Sequence, residues 1–206
     1  METNNNHVAN INSDSRGKMK KIVSLGFILF TVTAITGLIL GVVHDITALP
    51  IQKTQERLKK EALATALPEA DDFSQIQMKQ GASEIVKEVQ EARKGSLPAG
   101  YCVTVTPKGY AGTIEIVVGI TVEGKLRAIS ILNQSETPGL GAKAPQPAFS
   151  GQFENKDVEK LIVVKSSPGT AGEIQAISGA TITSNAVTDG VNEALSYWRE
   201  NLRGGK

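Results

Sequence analysis

The chain has 206 residues, a formal net charge of +1, one cysteine, two histidines and an aromatic content of only 4%. That charge gives no electrostatic case for a nucleic-acid partner, and a single cysteine forbids an intrachain disulfide and any Cys-based zinc spacing. His7 and His44 fall outside the expected folded part, so nothing supports a histidine acid–base centre, and redox chemistry has to come from a cofactor.

Residues 1–15 are polar and Asn-rich and read as a short disordered tail. From Ile22 to Val43 there is no charge, and the stretch is long enough to cross a hydrocarbon core of about 30 Å. It is longer than a signal-peptide core, lacks a convincing small-x-small cleavage site and has no polar face. Arg16, Lys18, Lys20 and Lys21 crowd its N-terminal flank, whereas His44 and Asp45 follow it. The positive-inside tendency predicts a cytoplasmic tail over 1–21, a transmembrane helix over 22–43 and an extracytoplasmic remainder. Thr54 to Ala66 is rich in Glu, Lys, Leu and Ala and reads as a helix ended by Pro68. Residues 44–68 would then be a stalk lifting a domain over 69–206 off the membrane.

Gln75 to Pro98 is charged; Ile85 and Val89 allow a short helix or strand. Period-two alternation begins at Tyr101, Val103 and Val105. It continues through Ile114, Ile116, Val118, Ile120 and Val122, then resumes at Leu126, Ile129 and Ile131 after a Glu123-Gly124 turn. This predicts an antiparallel meander with one face on a core. Cys102 lies on the opposite phase and belongs to no motif. Asn133 to Pro147 is a Pro/Gly-rich loop, and Phe149 and Phe153 are core candidates. Leu161–Lys165 and Ile174–Ile177 read as short strands around a Ser166–Gly172 loop. The last element, about Ser184 to Leu202, carries Val187, Val191, Ala194, Leu195, Trp198 and Leu202 on one stripe of an amphipathic helix. Trp198 fits that stripe as a core residue before it fits a ligand. The fold class is α+β.

Two short blocks carry the chemistry. Ser178-Gly179-Ala180-Thr181, followed by Ile182-Thr183-Ser184, sits at a helix start. Small residues let the backbone approach a bulky ligand, and the helix start turns N–H groups and a positive dipole end toward a phosphate. Taken alone, the string also fits an ordinary hydroxyl cap, with Thr183 and Ser184 where the cap is expected. The second block is Glu136-Thr137-Pro138-Gly139-Leu140-Gly141. Alone it reads as a Pro-Gly turn. Beside a ligand its glycines permit close approach, Leu140 is an apolar wall, Thr137 and backbone N–H groups form a rim, and Glu136 supplies charge.

The Ser-Gly-Ala-Thr string resembles the flavinylation site of proteins that carry FMN on threonine through a phosphoester. The Glu136–Gly141 block resembles a second motif of the same FMN-binding domain. With the N-terminal apolar segment, the chain resembles the G subunit of Rnf-type ion-translocating electron-transport complexes over roughly residues 20 to 203. The resemblance implies covalent FMN on Thr181, with Ser178, Gly179 and Ala180 making room and Thr183 and Ser184 donating to phosphate oxygens. It implies an electron relay among other membrane and peripheral subunits during ferredoxin:NAD+ oxidoreduction coupled to Na+ or H+ movement. Maturation then needs a separate flavin transferase, because the chain has nothing to activate a hydroxyl. The C subunit of the Na+-translocating NADH:quinone oxidoreductase shares these features. A membrane-anchored binding or scaffold domain without redox role is the alternative of another class.

Overall fold

A computed structural model describes residues 3–78 and 83–203, and the chain divides after Gln55 into two units. Helix α1 runs Thr3–Ala66 and crosses that division. Its Val23–His44 stretch has a mean hydropathy of 2.3 and is nowhere buried within the chain; by length and composition it can cross a membrane. The hydroxyls of Thr31, Thr33 and Thr36 donate to carbonyls of the preceding turn, so these polar groups need no outside partner. Residues from Thr3 onward continue the helix where a disordered tail was expected. Propagation onto an existing helix avoids the nucleation cost that a polar segment alone cannot meet.

The second unit is built on five antiparallel strands in sequential order: β1 Asp72–Ile76, β2 Val86–Lys94, β3 Leu97–Val105, β4 Glu115–Thr121 and β5 Leu126–Asn133. The meander agrees with the alternation from Tyr101 onward. The charged stretch before it holds two further strands. Val86 and Val89 of β2 face the core, but Lys87, Glu88 and Glu91 mask the pattern.

One sheet face expected on a core becomes two covered faces. Val89, Val103, Val105, Ile116, Val118 and Ile120 join the main core with Phe149 and Phe153. On the other face Ala92, Cys102 and Val117 pack with Ala62, Leu63, Ala66 and Leu67 from the end of α1. Gly119 makes that contact possible, since a Cβ there would lie 2.0 Å from the Ala66 carbonyl oxygen. The last turns of the predicted stalk are therefore part of the domain. The Cys102 thiol is buried, and desolvation pushes its pKa up to about 12.

Beyond β5 come a 3-10 turn at Gly141–Lys143, α2 Pro147–Ser150 and a second 3-10 turn at Gly151–Phe153. Strands β6 Ile162–Val164 and β7 Glu173–Gln175 pair in parallel as a small separate sheet. Helix α3 covers Thr181–Tyr197 and passes into a π turn at Trp198–Leu202. Val187, Val191, Ala194, Leu195, Trp198 and Leu202 are all buried, as the stripe predicts. The helix starts three residues before the expected Ser184.

Candidate functional site

The early start of α3 changes the roles of its hydroxyls. Ala180 is the N-cap, with φ −132° and ψ 47°, and has no side chain that can cap. Thr181 is thus the first helical residue. The Ser184 N–H donates to the Ala180 carbonyl. The N–H groups of Thr181, Ile182 and Thr183 precede the helix's own acceptors and are not taken by a capping side chain. Thr183 and Ser184 are not caps. Ser184 is fully buried; its hydroxyl donates to the Ala180 carbonyl and accepts from the Ile177 N–H, which ties the approach loop to the helix. Thr183, 1% exposed, donates its hydroxyl to Glu136 Oε2. A Ser or Thr ahead of an apolar stripe reads as a cap only while its tertiary partners are unknown.

Glu136 is the hub of the site. It is 4% exposed and stands at the turn between β5 and the Gly141–Lys143 segment. Besides the Thr183 hydroxyl it accepts the Ala111 N–H at 2.9 Å and the Tyr110 N–H at 3.2 Å. Burial alone would raise its pKa. The hydrogen bonds from Thr183 and the N–H groups of Ala111, Tyr110 and Gly112 outweigh that and hold the carboxyl below the ordinary glutamate value. One carboxylate therefore joins the β3–β4 loop, its own loop and the first turn of α3. A Cβ at Gly141 would lie 2.5 Å from the Thr183 hydroxyl and 2.8 Å from the carboxylate, so this packing needs glycine.

These elements enclose a cleft of about 520 Å³ lined by Tyr110, Glu136, Thr137, Leu140, Gly141 and residues 179–183. The size suits a cofactor-sized ligand. Leu140 reaches across to Gly179, where a Cβ would sit 3.0 Å from its Cδ2. Gly179 has φ +75°, a left-handed conformation that a residue with Cβ adopts only at a cost. The two sequence blocks thus meet at one place. Tyr110, Leu140 and Ile182 are 69%, 40% and 57% exposed, three large apolar surfaces around one opening. Thr181 is half-buried and lines the same opening.

Of the residues expected at the site, Ser178, Pro138, Gly139 and Ser184 do not line the cleft. Ser178 and Pro138 are exposed on the flanking loops. Tyr110 and Ile182 do not stand out in the sequence as ligand contacts. An exposed tyrosine inside Lys108-Gly109-Tyr110-Ala111-Gly112, in a chain poor in aromatics, is the available signal. Trp198 lies in the core, as its spacing predicts.

Residues 109–196 match the model of the FMN-binding domain family. The chain is 39% identical over 161 residues to the G subunit of a proton-translocating ferredoxin:NAD(+) oxidoreductase complex from Clostridium ljungdahlii, covering 78% of this chain and 83% of the relative. The chain belongs to the family of Rnf-type G subunits. Another member, the G subunit of a Na(+)-translocating ferredoxin:NAD(+) oxidoreductase complex from Acetobacterium woodii, is 36% identical over 193 residues, covering 87% and 93%. The fold is also that of the C subunit of a Na(+)-translocating NADH-quinone reductase from Parabacteroides distasonis. That match has a TM-score of 0.59 and 22% identity and covers 76% of this chain and 97% of the other. The family match starts at Gly109 and so takes in the Tyr110 loop, Glu136 and the start of α3.

Proposed function

We propose that this chain is the membrane-anchored flavoprotein subunit of an Rnf-type complex and relays electrons through FMN esterified to Thr181. The observation that carries the reading is the first turn of α3. Its N–H groups have no capping side chain, and the half-buried Thr181 hydroxyl stands at the same apolar-walled cleft. The residues fit the group: the N–H groups of Thr181, Ile182 and Thr183 would hold the phosphate, as helix starts hold anions. Leu140, Tyr110 and Ile182 offer the flat apolar surface that an isoalloxazine ring needs, with Thr137 at its edge. When bound, the flavin supplies one- and two-electron chemistry that no side-chain set here provides.

In maturation the Thr181 hydroxyl would be the group esterified, with a separate flavin transferase supplying the activation that this chain lacks. Glu136 already takes the Thr183 hydroxyl, so of the two threonines in the first turn of α3 the reading assigns the ester to Thr181. The basic cluster at Arg16 to Lys21 supports a cytoplasmic N-terminus and a domain on the outer side of the cell membrane. With a flavin site but no nicotinamide or iron–sulfur site visible in the sequence, the protein acts with the other subunits of the complex.

The test is co-expression with a flavin transferase. The purified chain is expected to be yellow and to give a fluorescent band on a denaturing gel, with FMN on the Thr181 peptide by mass spectrometry. Thr181→Ala is expected to lose the band. FMN on Thr183, or a flavinylated Thr181→Ala protein, overturns the assignment.

A further inference from the structure

The cleft is unusual for a phosphate-bearing ligand in its charge. No lysine or arginine lines it among the described residues, and its one ionisable carboxyl is that of Glu136. Phosphate sites more often supply a cation to offset the ligand. Here the opposite sign is built in and held by hydrogen bonds from neutral groups: the Thr183 hydroxyl and the Tyr110 and Ala111 amides. No ion pair to Glu136 exists among the described residues. The charged groups on the elements packed around it are Lys108 on the β3–β4 loop, Lys143 on the 3-10 turn, and Asp189 and Glu193 further along α3. The other titratable groups are Tyr110 and, at the end of α3, Tyr197. Both lysines are exposed, and neither lines the cleft.

A free flavin mononucleotide is a phosphomonoester and carries about −1.5 to −2 charges near neutral pH, with its second ionisation near pH 6. Esterification at Thr181 removes that second ionisation and leaves a diester with one charge. The ring is drawn to the apolar walls in both forms; the phosphate is not treated alike. We propose that Glu136 makes the cleft selective against the free mononucleotide, so that the flavin is retained there only as the singly charged ester. The inference rests on the cleft being the flavin site. It gives the covalent bond a physical role beyond permanence: it converts a repelled ligand into an accepted one. The uncapped amides of α3 are enough for one charge, while a second charge has no cation to meet.

The experiment uses the full-length chain in detergent, made without a transferase and therefore not flavinylated. Riboflavin and FMN are titrated by flavin fluorescence at pH 8 and pH 5.5, at low and high salt. Riboflavin, which lacks the phosphate, is expected to bind about fivefold or more tightly than FMN at pH 8 and low salt. At pH 5.5 the phosphate loses its second charge while Glu136, held below the ordinary glutamate value, stays ionised. The preference is expected to shrink there and, by screening, in high salt. Glu136→Gln is expected to narrow it at pH 8; the wild-type pH and salt arms stand even if that variant does not fold. FMN binding as tightly as riboflavin at pH 8, a preference insensitive to salt and pH, or no saturable riboflavin binding each overturns the proposal. Peptide mapping of protein matured with the transferase separates the two readings. FMN on Thr181 with any of those results removes the charge filter and leaves the site. Flavin found on another residue removes both.

Discussion

The hydroxyl of Thr183 donates to the carboxylate of Glu136, forty-seven residues upstream, inside the wall of the cleft. That bond fastens the start of α3 to the loop after β5, and the Tyr110 and Ala111 amides fasten the β3–β4 loop to the same oxygens. Removing the donor leaves a buried charge short of a partner. Thr183→Val, close in shape, is expected to cost about 1–3 kcal/mol in chemical denaturation. FMN attachment on Thr181 is expected to persist at a reduced yield. A variant as stable as the wild type would show that the bond contributes nothing.

Acid should act on the same carboxylate. Its folded-state pKa is lowered, so its stabilisation is present above the unfolded value and is lost as pH falls through the folded one. Glu69, paired with Arg127, and Glu88, paired with Lys59, are shifted the same way. Melting temperature is therefore expected to fall as pH drops below the ordinary glutamate value of 4.5. Glu136→Gln is expected to be less stable at neutral pH and to lose less on acidification. Parallel curves for the two proteins would mean that Glu136 is not a contributor.

Leu140→Asp probes the ring wall. The side chain is 40% exposed, so a carboxylate is tolerated there. The covalent flavin is expected to remain while its absorption shifts and its midpoint potential falls, because a nearby negative charge disfavours an anionic reduced ring. An unchanged spectrum and potential would take Leu140 out of the ring contact.

Gly119→Ala tests whether the end of α1 belongs to the domain. The added methyl would meet the Ala66 carbonyl, and the helix end must shift, at an expected cost of about 1–3 kcal/mol. Cys102, sealed beneath that helix end, reports the shift. Its alkylation is expected to be slow in the native protein and clearly faster in the variant. Equal rates would show that α1 does not guard the sheet.

Topology is tested with a single cysteine at Lys108, on an exposed part of the β3–β4 loop, in a Cys102→Ala background. A membrane-impermeant maleimide is expected to label it in intact spheroplasts. Labelling only after the inner face is opened would reverse the orientation.

Much of this molecule was legible in its sequence because periodicity is a local signal. The alternation from Tyr101 to Ile131 reads as a meander, and the Val187–Leu202 stripe as a helix against a core, with no knowledge of tertiary contacts. What stayed hidden depends on contacts between distant residues. The second sheet face needed Ala66 to meet Gly119, and alanine and glycine announce nothing in a strand pattern. The start of α3 is misplaced by sequence because Thr183 and Ser184 look like caps until Glu136 and Ile177 are seen to take their hydroxyls. Tyr110 does not stand out because its loop is brought to the cleft by backbone amides that Glu136 binds, a contact between residues distant in sequence.

The burial of Cys102 bears on electron accounting. A redox protein with an accessible thiol has two places for reducing equivalents and for oxidative damage: the cofactor and the sulfur. With its pKa pushed up to about 12 and its surface covered by Ala62, Leu63 and Ala66, this thiol supplies almost no thiolate near neutrality. Oxidants formed near a flavin find no accessible thiolate to consume, and copies of the folded chain cannot become cross-linked through it. Stoichiometric titration of the purified folded protein thus counts flavin and nothing from cysteine.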